Sequence, residues 1–346
     1  MSDPNQNPQT DVNQLGEFGL IDHLTHPFAL TQPSSLRGVG DDAAVIDNQG
    51  FLTVLSTDML VEEIHFDRIY HPLRYLGYKA VIVNVSDICA MNAIPKQITV
   101  SIALSNRYGV EDLDELYAGI ALACEHYRID LVGGDTTSSN RGLIISITAV
   151  GQGEPDRITY RSGAKPGDLL CVSGDLGAAY VGLQLLEREK QVFISTPNVQ
   201  PDFEGQDYII GRQLKPEARL DVVELFHKSN LKPTAMIDIS DGLASEIFHI
   251  CKQSGTGAFI EEAKVPINQQ TELMAIKFGL DPITCALSGG EDYELLFTID
   301  PADLEKARYL PDLFIIGEIT PAADGIKLHT SGGNIYPLQA QGWKHF

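Results

Sequence analysis

The chain is short of positive charge, of cysteine pairs, of tryptophan and of long apolar runs. Its 346 residues hold 25 lysines and arginines against 47 aspartates and glutamates, a formal net charge of −22. Phosphate backbones are held by clustered Lys and Arg, so nucleic acid is excluded as a main partner, and an anionic membrane surface with it. The five cysteines, Cys89, Cys124, Cys171, Cys251 and Cys285, form no C-x-x-C and leave one over. Free buried thiols in a reducing compartment follow, rather than a disulfide framework or a zinc site. No apolar run approaches the roughly 18 residues that span a bilayer. Residues 1–13 are polar and lack the apolar region of a signal peptide, so a frayed tail on a cytoplasmic protein is expected. The common nucleotide signatures are missing too. There is no G-x-x-x-x-G-K-[ST], no G-x-G-x-x-G after a strand, and no protein-kinase motif set.

What is present is a globular chain, 43% hydrophobic, with length for two domains. Short apolar runs at Ala43–Ile46 and Phe51–Leu55, split by Asp47-Asn-Gln-Gly50, read as a hairpin. Apolar residues from Leu73 to Cys89 recur at three- and four-residue steps, predicting a helix over 72–91. A strand over 97–104, a helix over 110–127, a short strand over 130–132 and a strand over 143–151 complete a ββαβαββ half. The second half starts near Gly153. Strands are predicted over 168–173, 234–239, 258–261, 283–287, 294–299 and 313–319. Helices are predicted over 176–189, 216–228, 242–253 and 272–278, and residues 191–208 read as a polar surface loop. The fold class is mixed α/β with two layered domains, divided as a 1–15 tail, 16–152 and 153–346.

The acids are placed rather than scattered. They recur where an apolar run stops, beside Gly, Ser or Thr: Gly40-Asp-Asp-Ala43, Ser56-Thr-Asp58, Asn84-Val-Ser-Asp87, Gly133-Gly-Asp-Thr136, Asp238-Ile-Ser-Asp-Gly242 and Ser288-Gly-Gly-Glu-Asp292. One such cluster is a turn or a helix cap as readily as a ligand set. Asp87 is harder to read that way, because it lies in an otherwise apolar helix and an unpaired buried carboxylate is costly. Six together imply bound hard cations, since gathered carboxylates without matching Arg and Lys repel one another. All-oxygen ligands suit Mg²⁺, which usually also bridges substrate phosphates. The glycine pairs let backbone amides approach phosphate oxygens. These residues point to an enzyme acting on a nucleotide through several Mg²⁺ ions.

The same motifs carry a family resemblance. The chain resembles the thiamine-monophosphate kinases, in the superfamily of aminoimidazole ribonucleotide synthetase, selenophosphate synthetase and a hydrogenase maturation protein. The matching blocks run from Gly16-Glu-Phe-Gly-Leu-Ile21 through Gly38-Val-Gly-Asp-Asp-Ala-Ala44, Ser56-Thr-Asp-Met-Leu-Val61, Asn84-Val-Ser-Asp87, Gly133-Gly-Asp-Thr136, Arg161-Ser-Gly-Ala-Lys-Pro-Gly-Asp168 and Asp238-Ile-Ser-Asp-Gly242. They end at Ser288-Gly-Gly-Glu-Asp-Tyr-Glu-Leu295 and Trp343-Lys-His-Phe346. The resemblance implies ATP-dependent phosphorylation of thiamine monophosphate to thiamine diphosphate with Mg²⁺. It implies metal ligation by Asp42, Ser56, Thr57, Asp58, Asp87, Asp135, Asp238 and Asp241, with ATP contacts from Gly134, Asp135, Arg161 and Ser240. His65, Glu291 and Trp343 would touch the thiamine phosphate, and no residue is singled out as acid or base. It also implies a homodimer whose N-terminal domains share a β-barrel.

Alternatives remain open at this point. Selenophosphate synthetase would need a reactive Cys in an N-terminal glycine-rich loop, but the first cysteine is Cys89. The hydrogenase maturation protein needs a C-terminal Cys, where this chain ends His345-Phe346. A non-catalytic Mg²⁺- or nucleotide-binding regulator is the alternative of a different class.

Overall fold

The computed structural model describes residues 33–38, 40–196, 200–308 and 310–339. Sheet one has the order β1-β2-β3-β6-β4-β5. Its strands are β1 (Ser35–Arg37), β2 (Ala44–Asp47), β3 (Leu52–Val61), β4 (Ile94–Leu104), β5 (Asp130–Ser138) and β6 (Leu143–Gly153). β4 and β5 are parallel and the other neighbours antiparallel. Two helices, α1 (Leu73–Ala90) and α2 (Val110–Tyr127), cover one face. The alternation along β6 shows which: Leu143, Ile145, Ile147 and Ala149 are buried beneath the helices, while Ile144, Ser146, Thr148 and Val150 are only half-buried. Every residue of the edge strand β5 is exposed.

Sheet two has the order β13-β12-β9-β11-β7-β10-β8. Its strands are β7 (Leu169–Ser173), β8 (Ala235–Asp238), β9 (Thr256–Glu261), β10 (Leu295–Ile299), β11 (Leu313–Pro321), β12 (Ile326–His329) and β13 (Ile335–Pro337). The helices of this half are α3 (Ala178–Ser195), α4 (Asp207–Leu214), α5 (Leu220–Ser229), α6 (Leu243–Ser254), α7 (Gln269–Lys277), α8 (Pro282–Ser288) and α9 (Leu304–Ala307). The architecture is mixed α/β with two sheets. The strand order of sheet one is linear, with β1 and β5 at its two ends. Among the described residues no helix is long and apolar enough to cross a membrane.

Helix α1 is the centre of the molecule. Of its 18 residues, 15 are buried. A one-sided amphipathic helix cannot bury so much; α1 is apolar all round because it has protein on all sides. One hydrophobic core runs from Val54, Ile145 and Ile147 of sheet one through Leu76, Val81 and Ile88 of α1. It continues to Phe226 of α5 and Met236 and Phe297 of sheet two. Where α1 crosses α2, two glycines interlock. A Cβ on Gly77 would stand 2.0 Å from the Leu116 carbonyl oxygen, and one on Gly119 would stand 1.8 Å from that of Arg74.

Several elements differ from expectation. Ser56-Thr-Asp58 lies in the middle of β3, which runs on to Val61 because β6 pairs with it throughout. Residues 283–287 are helical in α8, not a strand: Pro282 opens the helix at its first turn, and a short apolar run fits either state. The 191–208 stretch is loop only in part, since α3 extends to Ser195 and α4 begins at Asp207. The helix expected from Pro216 starts at Leu220. The chain before it is drawn to the first half, where Tyr78 and Tyr127 donate to the Glu217 carboxylate and the Ala218 amide donates to the Tyr127 oxygen at 2.9 Å.

Gly119→Ala is expected to cost about 1–3 kcal/mol, because an added methyl would force the α1–α2 backbones apart. Denaturant unfolding would show a lower midpoint at unchanged slope.

Candidate active site

Three elements end at one point. Asp42 precedes β2, Asp87 sits in the last turn of α1, and Asp238 is the last residue of β8. Oxygens of their three carboxylates lie within 4.8 Å of one another. Asp87 is also placed against its helix, since a C-terminal turn disfavours negative charge. Burial, and then the charges of Asp58, Asp238 and Asp42, hold Asp87 well above the usual carboxylate range. Burial and the Asp42 charge push Asp238 up to about 8.

Short polar side chains hold the cluster in shape. The Ser56 hydroxyl donates to Asp87, and the Ser86 hydroxyl donates to Asp238 at 2.6 Å. Asn84 accepts the Asp58 amide at 3.0 Å and donates to the Ala80 carbonyl at 3.1 Å. Asp58 of β3 turns its carboxyl toward Asp87, and the desolvation of that carboxyl among its neighbours raises it above its ordinary value. Arg161 grips Asp42 with two parallel bonds, Nη2 to Oδ1 at 2.8 Å and Nε to Oδ2 at 2.9 Å. Two residues expected to serve metal and ATP separately thus form one pair. Asp41 is structural: it pairs with Arg37 at 3.0 Å and accepts the Arg161 amide at 3.1 Å.

Beside the cluster, two loops are joined edge to edge. The Ser240 carbonyl accepts the Glu291 amide at 2.7 Å, and the Ile239 carbonyl accepts that of Tyr293 at 2.9 Å. Ser240 itself is exposed. The loop holding Ser240 and Asp241 is fixed by Glu246 of α6, a buried carboxylate that accepts both their amides, at 3.2 and 2.8 Å. Glu291 is paired with Lys79 of α1 at 2.8 Å. Its two acidic neighbours are buried and structural. Asp292 accepts the Gly177 amide at 2.8 Å, and Glu294 pairs with Arg212 at 2.8 Å and Arg219 at 2.6 Å.

The remaining expected residues lie apart. Thr57 points to the other face of β3, where its hydroxyl donates to the Ile147 carbonyl at 3.0 Å. His65 is half-buried and its Nδ1 accepts the Val61 amide at 3.0 Å. Asp135 and Gly134 stand on the exposed strand β5, outside the three-carboxylate group. They line a cavity of about 400 Å³ with Tyr117 of α2, Val100 and Leu131. Gly134 has a packing reason to be glycine, since a Cβ would stand 1.9 Å from the Val100 carbonyl oxygen. Trp343 and the Gly16–Ile21 block lie outside the described residues.

Lys79, Ser86, Tyr117 and Glu246 escaped the reading of the sequence. Lys79 left a signal there, a charge inside an apolar helix, and Ser86 lay within the Asn84–Asp87 block without a role of its own. The others are placed by tertiary contact.

Among the described residues one group of three or more His, Cys, Asp or Glu side chains converges, and all its donors are carboxylate oxygens. That donor set, with raised pKa values that an added positive charge would relieve, fits a hard divalent cation and not zinc or copper.

Two family descriptions divide the chain. "AIR synthase related protein, N-terminal domain" matches residues 40–152, and "AIR synthase related protein, C-terminal domain" matches residues 165–328. The two halves are therefore domains of the AIR synthase related class. A thiamine-monophosphate kinase of Aquifex aeolicus is 36% identical over 97% of this chain and 99% of its own. One from Bacillus subtilis is 33% identical over 96% and 100%. The structure of AaThiL complexed with AMPPCP and TMP superposes with a TM-score of 0.83 at 34% identity, covering 98% of this chain and all of that one. The chain belongs to the thiamine-monophosphate kinase family.

The cluster makes stability depend on pH. Asp87 and Asp238 titrate higher folded than unfolded, so they favour the fold while protonated and lose that contribution as pH rises through the folded values. With a chelator present, the melting temperature should fall between about pH 6 and 9, and Asp238→Asn should flatten the slope. Thermal melts across that range check both.

Proposed function

We propose that this protein transfers the terminal phosphoryl group of ATP directly to the phosphate of thiamine monophosphate, giving thiamine diphosphate. The observation that carries the reading is the convergence of Asp42, Asp87 and Asp238 within 4.8 Å, beside the joined Ser240 and Glu291 loops. A relative of 34% identity holding AMPPCP and TMP together supports a donor and an acceptor in one site.

The acceptor is a phosphate monoester, largely ionised near neutral pH, so a strong general base is not required. The barrier is repulsion between two anions, and catalysis lies in positioning and charge neutralisation. Mg²⁺ ions, when bound, supply that neutralisation and hold the two phosphates in line. Asp42, Asp58, Asp87, Asp238 and Asp241 would hold them, with Ser56 orienting Asp87. Thr57 and Asp135 are carried as ligands by the resemblance, Asp135 from the β5 side. Arg161 and Ser240 would meet the ATP phosphates, and Gly134 and Tyr117 would line the nucleotide's cavity. His65, Glu291 and Trp343 would meet the thiamine phosphate.

The working assembly on this reading is a cytoplasmic homodimer, with a domain boundary near residue 152. The open face of sheet one and its edge favour pairing there: Met59 and Val132 are 54% and 60% exposed, and the resemblance places a shared barrel at that surface.

Purified protein mixed with ATP, Mg²⁺ and thiamine monophosphate is expected to yield thiamine diphosphate. Asp87→Asn and Asp58→Asn should each lower turnover at least about a hundredfold. Tight ATP binding without product would instead favour a regulatory binding protein.

A further inference from the structure

Lys79 is a charged side chain that is 1% exposed, in the middle of the most buried helix. A buried ammonium costs free energy unless it is well paired, and an apolar side chain of similar volume would fill the space without that cost. Its contacts are specific. Nζ lies 2.8 Å from Glu291 Oε1 and donates to the Gln213 carbonyl at 3.2 Å. The Gln213 side chain donates from Nε2 to the other Glu291 oxygen, Oε2, at 2.8 Å. One carboxylate is thus held in a fork, ammonium on one oxygen and amide on the other.

Glu291 is not a packing residue. Its side chain is 31% exposed, and its backbone is left-handed, with φ +57°, a conformation costly for a residue other than glycine. A carboxylate has about four acceptor sites, so a fork on its inner edge leaves others facing outward. Lys79 and Asp87 share α1, eight residues apart, or about 12 Å along a helix rising 1.5 Å per residue. The helix that delivers Asp87 to the carboxylate cluster therefore also sets where Glu291 stands relative to it.

We propose that Lys79 and Gln213 are positioning residues for the acceptor substrate, aiming the outward edge of Glu291 at thiamine monophosphate. This rests on the reading of Glu291 as a substrate contact. Neither residue touches the reacting atoms. Lys79 fixes the carboxylate's height along α1 and Gln213 fixes its rotation.

Three variants test this: Lys79→Met, Gln213→Leu and Glu291→Gln, each with KM for both substrates, kcat and a thermal melt. Lys79→Met should raise KM for thiamine monophosphate at least about tenfold, with KM for ATP within about twofold and a smaller change in kcat. Gln213→Leu should move the same constant in the same direction by about threefold. The Lys79→Met/Glu291→Gln double variant should be no worse than Glu291→Gln alone, since both act on one contact. The proposal is overturned if Glu291→Gln raises KM for thiamine monophosphate while Lys79→Met leaves it unchanged. Should Lys79→Met not fold, Gln213→Leu decides by the same criterion. Equal losses for both substrates with a lowered melting temperature mark a merely structural lysine and also overturn it. An unchanged KM in Glu291→Gln removes Glu291 from the substrate's surroundings, a failure of that assignment visible in the single variant.

Discussion

A helix enclosed on every side can carry polar groups only where each one meets a partner, because water is not there to supply it. That constraint governs α1. Its polar positions Lys79, Asn84, Ser86 and Asp87 are each answered by another segment: Glu291, the Asp58 amide, Asp238 and Ser56. Those partners belong to β3, β8 and the 288–295 loop, so satisfying the helix fixes both sheets about it. The core and the site are two aspects of the same burial. Apolar side chains of α1 draw the sheets together, and its few polar ones decide what meets at the seam.

The acidic excess resolves into two populations. Glu294 and Asp41 are paired with arginines, and stabilise loops. Asp42, Asp87 and Asp238 are crowded so that their own charges oppose them, with Arg161 gripping one. The second kind points to a bound cation, because its repulsion has no structural benefit unless a cation relieves it. The two kinds look alike in sequence, as Asp41 and Asp42 show by sitting side by side, one paired with Arg37 and the other in the cluster.

Long periodic elements were legible in the sequence. The helix over 110–127 and the strands around 97–104 and 143–151 follow from spacing alone, as does a helix over 72–91. That α1 is enclosed rather than half-exposed was not legible, since its second cover comes from strands more than 140 residues away in the chain. Residues 283–287 were misread because a short apolar run carries no period to separate helix from strand. Within the site, the aspartates stood out by recurring beside Gly, Ser and Thr. Ser86 and Glu246 did not, because their roles exist only once β8 and α6 lie where they do. Gly134 carries a second constraint that spacing does not show: the Val100 carbonyl excludes a side chain there, whatever else approaches its amide.

The enclosure of α1 also bears on how the chain acquires its shape as it is made. Lys79 and Glu291 are 291 − 79 = 212 residues apart, and Phe226, Met236 and Phe297 complete the core begun by Leu76 and Val81. The first half leaves the ribosome before any covering for the far side of α1 has been synthesised. Its apolar flank and its lone ammonium stay in contact with water until β8 and β10 arrive. The burial of α1 therefore needs both halves of the chain, and neither half alone can complete the core.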